Sequence, residues 1–409
     1  MPRLITLALL FSSASIAWGA DWPQFRGADT TGVASDPNIP VAVGESIAWT
    51  ADLPGRGLSG PIIVGDKVFL SASSGFAQDR LHLLCFDAKS GRPLWERQFW
   101  ATGRTLCHPK MCNATPTPAC DGERVFALFS SNDLACVDLD GNLQWFRGLT
   151  QDYQNASNSL GMSSSPIVVG ETLIVQIEND SESLALGLDV ATGENRWKLP
   201  RPVMVNWTSP VVLRGKTRAD DLAVLQSGKG LVALRPYSGA EVWRFDEACS
   251  TIPSTTVGDG VLYAPSKGLT ALQVDDAGGP PKPLWQQNRL GPITPSALIY
   301  EGRVFSIASS GVLNCAEIKN GNNLWSLRLT VQDGDKSSRG MFSATPVAAG
   351  GHVYCINEDG VVMVVDAKAD KGQIVAHHDF GETVLGTPAI ANGGLYLRSD
   401  KHLWKIARQ

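Results

Sequence analysis

Short apolar runs alternate with turn residues along nearly the whole chain. In Pro61-Ile62-Ile63-Val64-Gly65-Asp66-Lys67-Val68-Phe69 a β-branched run follows a proline, breaks at Gly-Asp and resumes. Pro166-Ile167-Val168-Val169-Gly170-Glu171-Thr172-Leu173-Ile174 repeats the pattern, and similar blocks start near Pro116, Pro210, Pro253, Pro295, Pro346 and Pro388. Runs this short, bounded by turn residues, predict strands.

A second phrase lies downstream of each block: an acidic residue, then a glycine, then a tryptophan. It stands as Asp87…Gly91…Trp95, Asp189…Gly193…Trp197 and Glu317…Gly321…Trp325. Arg235…Gly239…Trp243 loses the acid, and Asp138…Gly141…Trp145 is one residue shorter. Trp285 follows a looser Gly/Pro-rich turn, and in the seventh unit the slot after Gly372 is Ala376. Each unit therefore holds four strands: A after the proline, B after the turn, C ending at the acid and D carrying the tryptophan. From Trp49 to Ala376 the slots step by 46, 50, 52, 46, 42, 40 and 51 residues, the size of a four-stranded propeller blade. After Pro388 the chain has room for A, B and C only, while Glu45 to Ala51 with Trp49 is a D strand without predecessors. Joining the two fragments closes a ring and removes its open sheet edges. The expected fold is all-β: an eight-bladed β-propeller of four-stranded antiparallel blades, closed by an N-terminal outer strand joining the C-terminal blade. The indoles are expected to fill the gaps between blades, each burial contributing roughly 2–3 kcal/mol. The glycines are expected to make the turn into strand D.

The recurring Asp-x-x-x-Gly-x-x-x-Trp phrase resembles the docking motif of the PQQ-like (pyrroloquinoline quinone-like) repeat, over nearly all of residues 45–409. Asp21-Trp22-Pro23-Gln24-Phe25-Arg26-Gly27 resembles the N-terminal signature of bacterial exported propellers of this family, and Pro116-Thr117-Pro118…Asp121-Gly122-Glu123-Arg124-Val125 is similar to their second blade. The family includes quinoprotein alcohol and glucose dehydrogenases, which carry PQQ and calcium in a central funnel, and the non-catalytic outer-membrane assembly scaffold BamB. The dehydrogenase branch implies an adjacent Cys-Cys pair, which this sequence lacks. The BamB branch implies a lipid-modified N-terminal cysteine, but the first cysteine here is Cys85.

Composition narrows the function classes. Of 409 residues, 43% are hydrophobic and 18% charged, too apolar for a disordered chain. The net charge is −5 and no basic run occurs, which argues against nucleic acid and an anionic membrane surface. Arg3, the apolar stretch Leu4 to Phe11 and the small residues Ala17 and Gly19 read as a secretion signal cut after Gly19. No later segment approaches the ~20 apolar residues of a membrane span. The expected organisation is a signal peptide at 1–19, an N-terminal extension at 20–44 and the propeller at 45–409, in a monomeric periplasmic or secreted protein. Export permits disulfides among the eight cysteines. Cys85, Cys136 and Cys315 hold matching strand positions and read as small buried hydrophobes. Cys107 and Cys112 flank a Pro-containing loop where a local disulfide fits.

Propeller sites lie where loops lead into the inner strands. Met111, Met162, Met204 and Met341 each precede a strand A proline by four to six residues, which sets them on one face. They read as packing, as an adaptable apolar surface for a partner, or as soft-metal ligands with Cys107, His108 and Cys112. Arg56, Asn113 and Trp207 share these loops and are the candidate cofactor-binding residues. Arg56 reads either as a solvated charge or as the partner of a carboxylate or quinone oxygen, and Trp207 as a stacking platform or as part of the core. No catalytic residue and no metal site emerge, and no Gly-x-Ser-x-Gly, His-Glu-x-x-His or Walker loop occurs. The expected function is an exported non-catalytic scaffold binding a protein or small molecule at one face, with no cofactor. The alternatives are a divergent PQQ- and calcium-dependent oxidoreductase and an outer-membrane protein assembly component of BamB type.

Overall fold

The computed structural model describes residues 21–157, 160–275, 279–308, 310–333, 336–338 and 340–408. The segment read as a secretion signal, residues 1–19, lies outside them. Eight four-stranded antiparallel sheets are present among the described residues. Blade 1 runs through Ile62–Val64, Lys67–Ser74, Arg80–Asp87 and Pro93–Trp100, and blades 2 to 7 repeat the order A-B-C-D. Blade 8 is composite: strands A, B and C are Ala389–Ala391, Gly394–Arg398 and His402–Ala407, and D is Ile47–Asp52 from the other end of the chain. Thr50 pairs with Trp404, so the ring closes as the sequence predicts. A two-stranded hairpin, Val331–Asp333 with Lys336–Ser338, is inserted between blades 6 and 7 and has no counterpart in the repeat.

The repeated phrase works as a relay from each blade to the next. Trp95 Nε1 donates to Leu139 O (3.0 Å) of the following blade, and Trp49, Trp145, Trp197, Trp285 and Trp325 make the equivalent bond. The receiving C–D turn presents its glycine to the indole. A Cβ on Gly141 would lie 2.7 Å from the Trp95 ring, and φ there is +83°, so glycine is required twice over. Within blades 1, 2, 3 and 6 the residue opposite the indole across the C–D ladder is small: Cys85 faces Trp95, Cys136 faces Trp145, Gly187 faces Trp197 and Cys315 faces Trp325, whereas in the composite blade Lys405 faces Trp49. This is why cysteine recurs there, buried and free. In blade 7 the pair inverts, with Val364 opposite Ala376. The tryptophan is lost there because blade 8, assembled from both chain ends, has no C–D turn to receive it. Trp243 is the other exception. It is buried, but its Nε1 has no acceptor among the described residues.

The N-terminal segment crosses the end of the central channel where the C–D turns lie. Trp22 pairs with Ile63 of blade 1, Pro23 O accepts from Cys120 N of blade 2, and Gln24 Oε1 accepts from Val168 N of blade 3. Thr30 Oγ1 accepts from Val212 N of blade 4, Arg26 donates to Thr255 O of blade 5, and Gly32 and Ala34 bond with Ala348 of blade 7. The Trp-Pro-Gln-Phe-Arg-Gly signature and the residues that follow it to Ala34 thus form an axial plug, bonded to six blades.

Candidate functional site

Beyond the plug, the channel widens into a cavity of about 520 Å³ that opens on the face carrying the D-to-A loops. Its floor is Phe25 of the plug, and its apolar walls include Leu58, Trp207, Phe342 and Leu385.

A ring of hydroxyls girdles it. Every inner strand starts with an equivalent residue just ahead of or after its proline, and the backbone N–H of each donates to the side chain of the next. Gly60 N donates to Thr117 Oγ1, Thr117 N to Ser165 Oγ, Ser165 N to Ser209 Oγ and Ser209 N to Ser254 Oγ. Ser254 N then donates to Ser296 Oγ, Ser296 N to Thr345 Oγ1 and Thr345 N to Thr387 Oγ1, all seven bonds being 2.9–3.1 Å. The eighth link is missing because residue 60 is glycine. A Cβ at Gly60 would lie 2.6 Å from Thr387 O, so the gap is imposed by backbone packing. Gly60→Ala is therefore expected to destabilise the fold by about 1–3 kcal/mol through overpacking. Urea titration beside Ser254→Ala, which removes one link, checks it; a stabilised Gly60→Ala protein would refute the steric reading.

The loop leading from blade 1 to blade 2 straps across the cavity mouth. Lys110 Nζ reaches Glu358 of blade 7 (2.9 Å to Oε2), and Glu358 Oε1 also accepts from Ser343 Oγ (2.7 Å). Arg56 holds the same loop: its guanidinium donates to Pro109 O (2.8 Å), Met111 O (3.0 Å) and Asp400 (3.2 Å). Arg56 is therefore committed to tethering and does not line the cavity. Asn113 is buried behind the strap, its Nδ2 donating to Gln78 O (3.1 Å) and its Oδ1 accepting from Ser131 N (2.6 Å); it too stands away from the cavity.

Trp207 does form part of the wall. Its Nε1 donates to Gly161 O (2.9 Å) and its backbone N–H to Thr251 O (2.8 Å), which fixes the ring between two loops. Behind it lies a buried ion pair. Arg201 Nε donates to Glu178 Oε1 (2.5 Å), and Asn206 Nδ2 to Glu178 Oε2 (3.0 Å). Burial pushes the Glu178 carboxyl above the usual range, against the pull of Arg201 and Asn206.

The methionines divide. Met111 and Met341 line the cavity mouth; Met162 is buried in the core between blades 2 and 3; and Met204 packs on Gly228. The four methionines therefore do not gather at one point, and no group of three His, Cys, Asp or Glu among the described residues converges. The Cys107–Cys112 disulfide is not formed. Both thiols are free, Cys107 beside Ser130 Oγ (3.4 Å) and Cys112 buried against Thr115. Loop geometry sends the two side chains to different partners.

Around the mouth stands an apolar crown invisible in any single motif. Leu106, Leu160, Val203, Ile252, Ile293 and Met341 are all exposed, one from each D-to-A loop between blades 1 and 7. Phe76, in the B–C turn of blade 1 on the same face, is fully exposed.

The family model described as outer membrane protein assembly factor BamB matches residues 15–217 and 227–369. The chain belongs to this BamB-like family of PQQ-repeat propellers. Within the family it is 22% identical to the outer membrane protein assembly factor BamB of Burkholderia pseudomallei (strain K96243), over 68% of this chain and 58% of that relative. The match thus spans little more than half of that relative's length. Among solved structures, BamB from Moraxella catarrhalis superimposes with a TM-score of 0.64 at 17% identity, covering 89% of this chain and 97% of that one. A europium-containing methanol dehydrogenase superimposes with a TM-score of 0.69 at 13% identity (92% and 89%). A quinohemoprotein alcohol dehydrogenase from Comamonas testosteroni gives 0.68 at 14% (95% and 81%). These structural likenesses establish the propeller alone.

The resemblance to quinoproteins implies PQQ with calcium, and the donor set here does not fit that pair. Calcium takes about six to eight oxygen ligands, carboxylates among them. Among the described residues the cavity wall of this BamB-like chain holds one carboxylate, Glu358, already bound by Lys110 and Ser343.

Proposed function

We propose that the chain is an exported, non-catalytic scaffold that holds a protein partner on its loop-bearing face during outer-membrane protein assembly. The observation that carries this reading is the apolar crown. Six consecutive loops on one face each expose a large apolar side chain, and exposed apolar surface gathered on one face favours an interaction site there. The BamB-like family supplies the kind of assembly, and the chain's negative charge suits a soluble periplasmic protein without a nucleic-acid partner.

A photo-crosslinking residue at Ile252 or Ile293 is expected to capture a component of the outer-membrane assembly machinery in intact bacteria. One at Glu301, on the plugged face, is expected to capture none. Ile252→Glu with Ile293→Glu should reduce capture about tenfold or more, the loss of a central apolar contact, with the melting temperature unchanged. Equal crosslinking from both faces, or products free of any assembly component, would sink the proposal.

A further inference from the structure

Two arginines are buried beside the axial cavity, just behind its lining, without a carboxylate in ion-pair contact among the described residues, although Asp400 lies near enough to Arg398 to act on its charge. Arg26, in the plug, donates through Nη1 to Thr256 Oγ1 and through Nη2 to Thr255 O, both 2.9 Å, and its Nε has no partner. Thr255 follows the ring residue Ser254, so this guanidinium sits next to the hydroxyl ring at blade 5. Arg398, in blade 8, donates through Nη1 to Ser71 O (3.0 Å) and Ser59 Oγ (3.3 Å) and through Nε to Ser399 O (2.9 Å), and its Nη2 has no partner. It packs against Gly57 and Gly386, which flank the wall residues Leu58 and Leu385, just where Gly60 interrupts the ring. The two cations therefore stand on opposite sides of the axis. Burial lowers them to about 9 and about 10, which leaves both charged at neutral pH.

Burying a cation without a counter-ion is costly, and each further unpaired N–H adds to the cost. The hydroxyl ring points the same way. Each of its seven oxygens already accepts a backbone N–H, and none of their own protons has an acceptor among the described residues. A narrow channel with low-dielectric walls focuses the field of the two charges onto its axis. Above the ring the walls are mostly apolar, with Trp207 and Phe342 offering aromatic surface, and the Lys110–Glu358 ion pair stands at one side of the mouth.

We propose that the axial cavity is a binding site for an apolar organic acid: a single oxyanion head on the hydroxyl ring between Arg26 and Arg398, and an aromatic or branched body against Trp207, Phe342 and Leu385. A volume of about 520 Å³ lies within the range of small-molecule sites. A quinone bearing several carboxylates around its rim would press charge against Leu58 and Leu385, so the site selects one head and a dry body. The docking surface rests on the crown around the mouth, of which Leu160, Ile252 and Met341 also line the cavity, and the Thr294→Trp arm of the test tells the two apart.

The test is a pair of dyes that differ only in an anionic group: 1-anilinonaphthalene-8-sulfonate and its neutral parent N-phenyl-1-naphthylamine. The folded protein is titrated with each, following dye fluorescence and tryptophan quenching. The expected result is saturable one-to-one binding of the sulfonate, about tenfold or more tighter than the neutral dye. Thr294→Trp, which fills the cavity from its wall, is expected to abolish sulfonate binding with an unchanged melting temperature. Arg26→Met is expected to weaken the sulfonate about tenfold and leave the neutral dye unaffected. Equal affinity for both dyes would overturn the oxyanion site. Sulfonate binding that survives Thr294→Trp would place the dye on the crown and overturn it as well. If Arg26→Met does not fold, the two dyes and Thr294→Trp still decide the matter.

Discussion

Replacing Trp325 with alanine is expected to destabilise the propeller by about 3–5 kcal/mol, the cost of emptying a buried indole site. The void would lie between blades 6 and 7, where Gly372 of the receiving turn sits within contact of the ring and cannot follow it inward. Trp325→Phe separates the two contributions. It keeps much of the apolar contact but loses the bond from Nε1 to Ala369 O, worth about 1 kcal/mol. The same change at Trp243 should be milder by about that amount, because that Nε1 has no acceptor among the described residues to lose. Urea unfolding of the three variants measures all of this. If Trp243→Phe cost as much as Trp325→Phe, the hydrogen-bonded relay would not be what distinguishes the two positions.

Arg201→Ala is expected to cost about 3–5 kcal/mol at pH 7, because it leaves the Glu178 carboxylate buried and unpaired. Its pH dependence carries the sign of the cause. Burial already raises the Glu178 carboxyl, and removing Arg201 raises it further. The folded variant then binds a proton at pH values where the unfolded chain, near 4.5, does not. The variant should therefore regain stability as pH falls from 7 towards 4.5, by about 1.4 kcal/mol per unit once the carboxyl is protonated. Adding Glu178→Gln should restore much of the loss at pH 7 and flatten the profile. A single variant that lost stability steadily over the same acid range would show that the pair is not the cause.

What the sequence revealed depended on whether a residue's role recurs. Trp95, Gly141 and Cys85 perform the same task in blade after blade, so spacing alone exposed the blade count and the composite eighth blade. The hydroxyl ring recurs too, and Thr117, Ser165, Ser209 and Thr387 stand beside prolines in plain view. Their purpose appears only when eight strands are arranged about an axis. The roles of Arg26 and Arg398 occur once each, and nothing in composition or periodicity separates a buried arginine from a solvated one. Loop methionines show the same limit. Met162 and Met341 precede their prolines by similar distances, but one is in the core and the other at the cavity mouth. A loop of a few residues has no period to fix the direction of its side chains.

The plug and the composite blade together impose an order on biosynthesis. Ile47–Asp52 leaves the ribosome early and has no sheet to join until His402–Ala407 has been made. Residues 22–34 wait almost as long, since Ala348 of blade 7 is among their partners. The earliest part of the described chain is thus fixed in place late, and a chain stopped short of His402–Ala407 leaves Ile47–Asp52 as a free handle for chaperones and proteases. Completion of synthesis, rather than any property of the early blades, becomes the quality check on the ring.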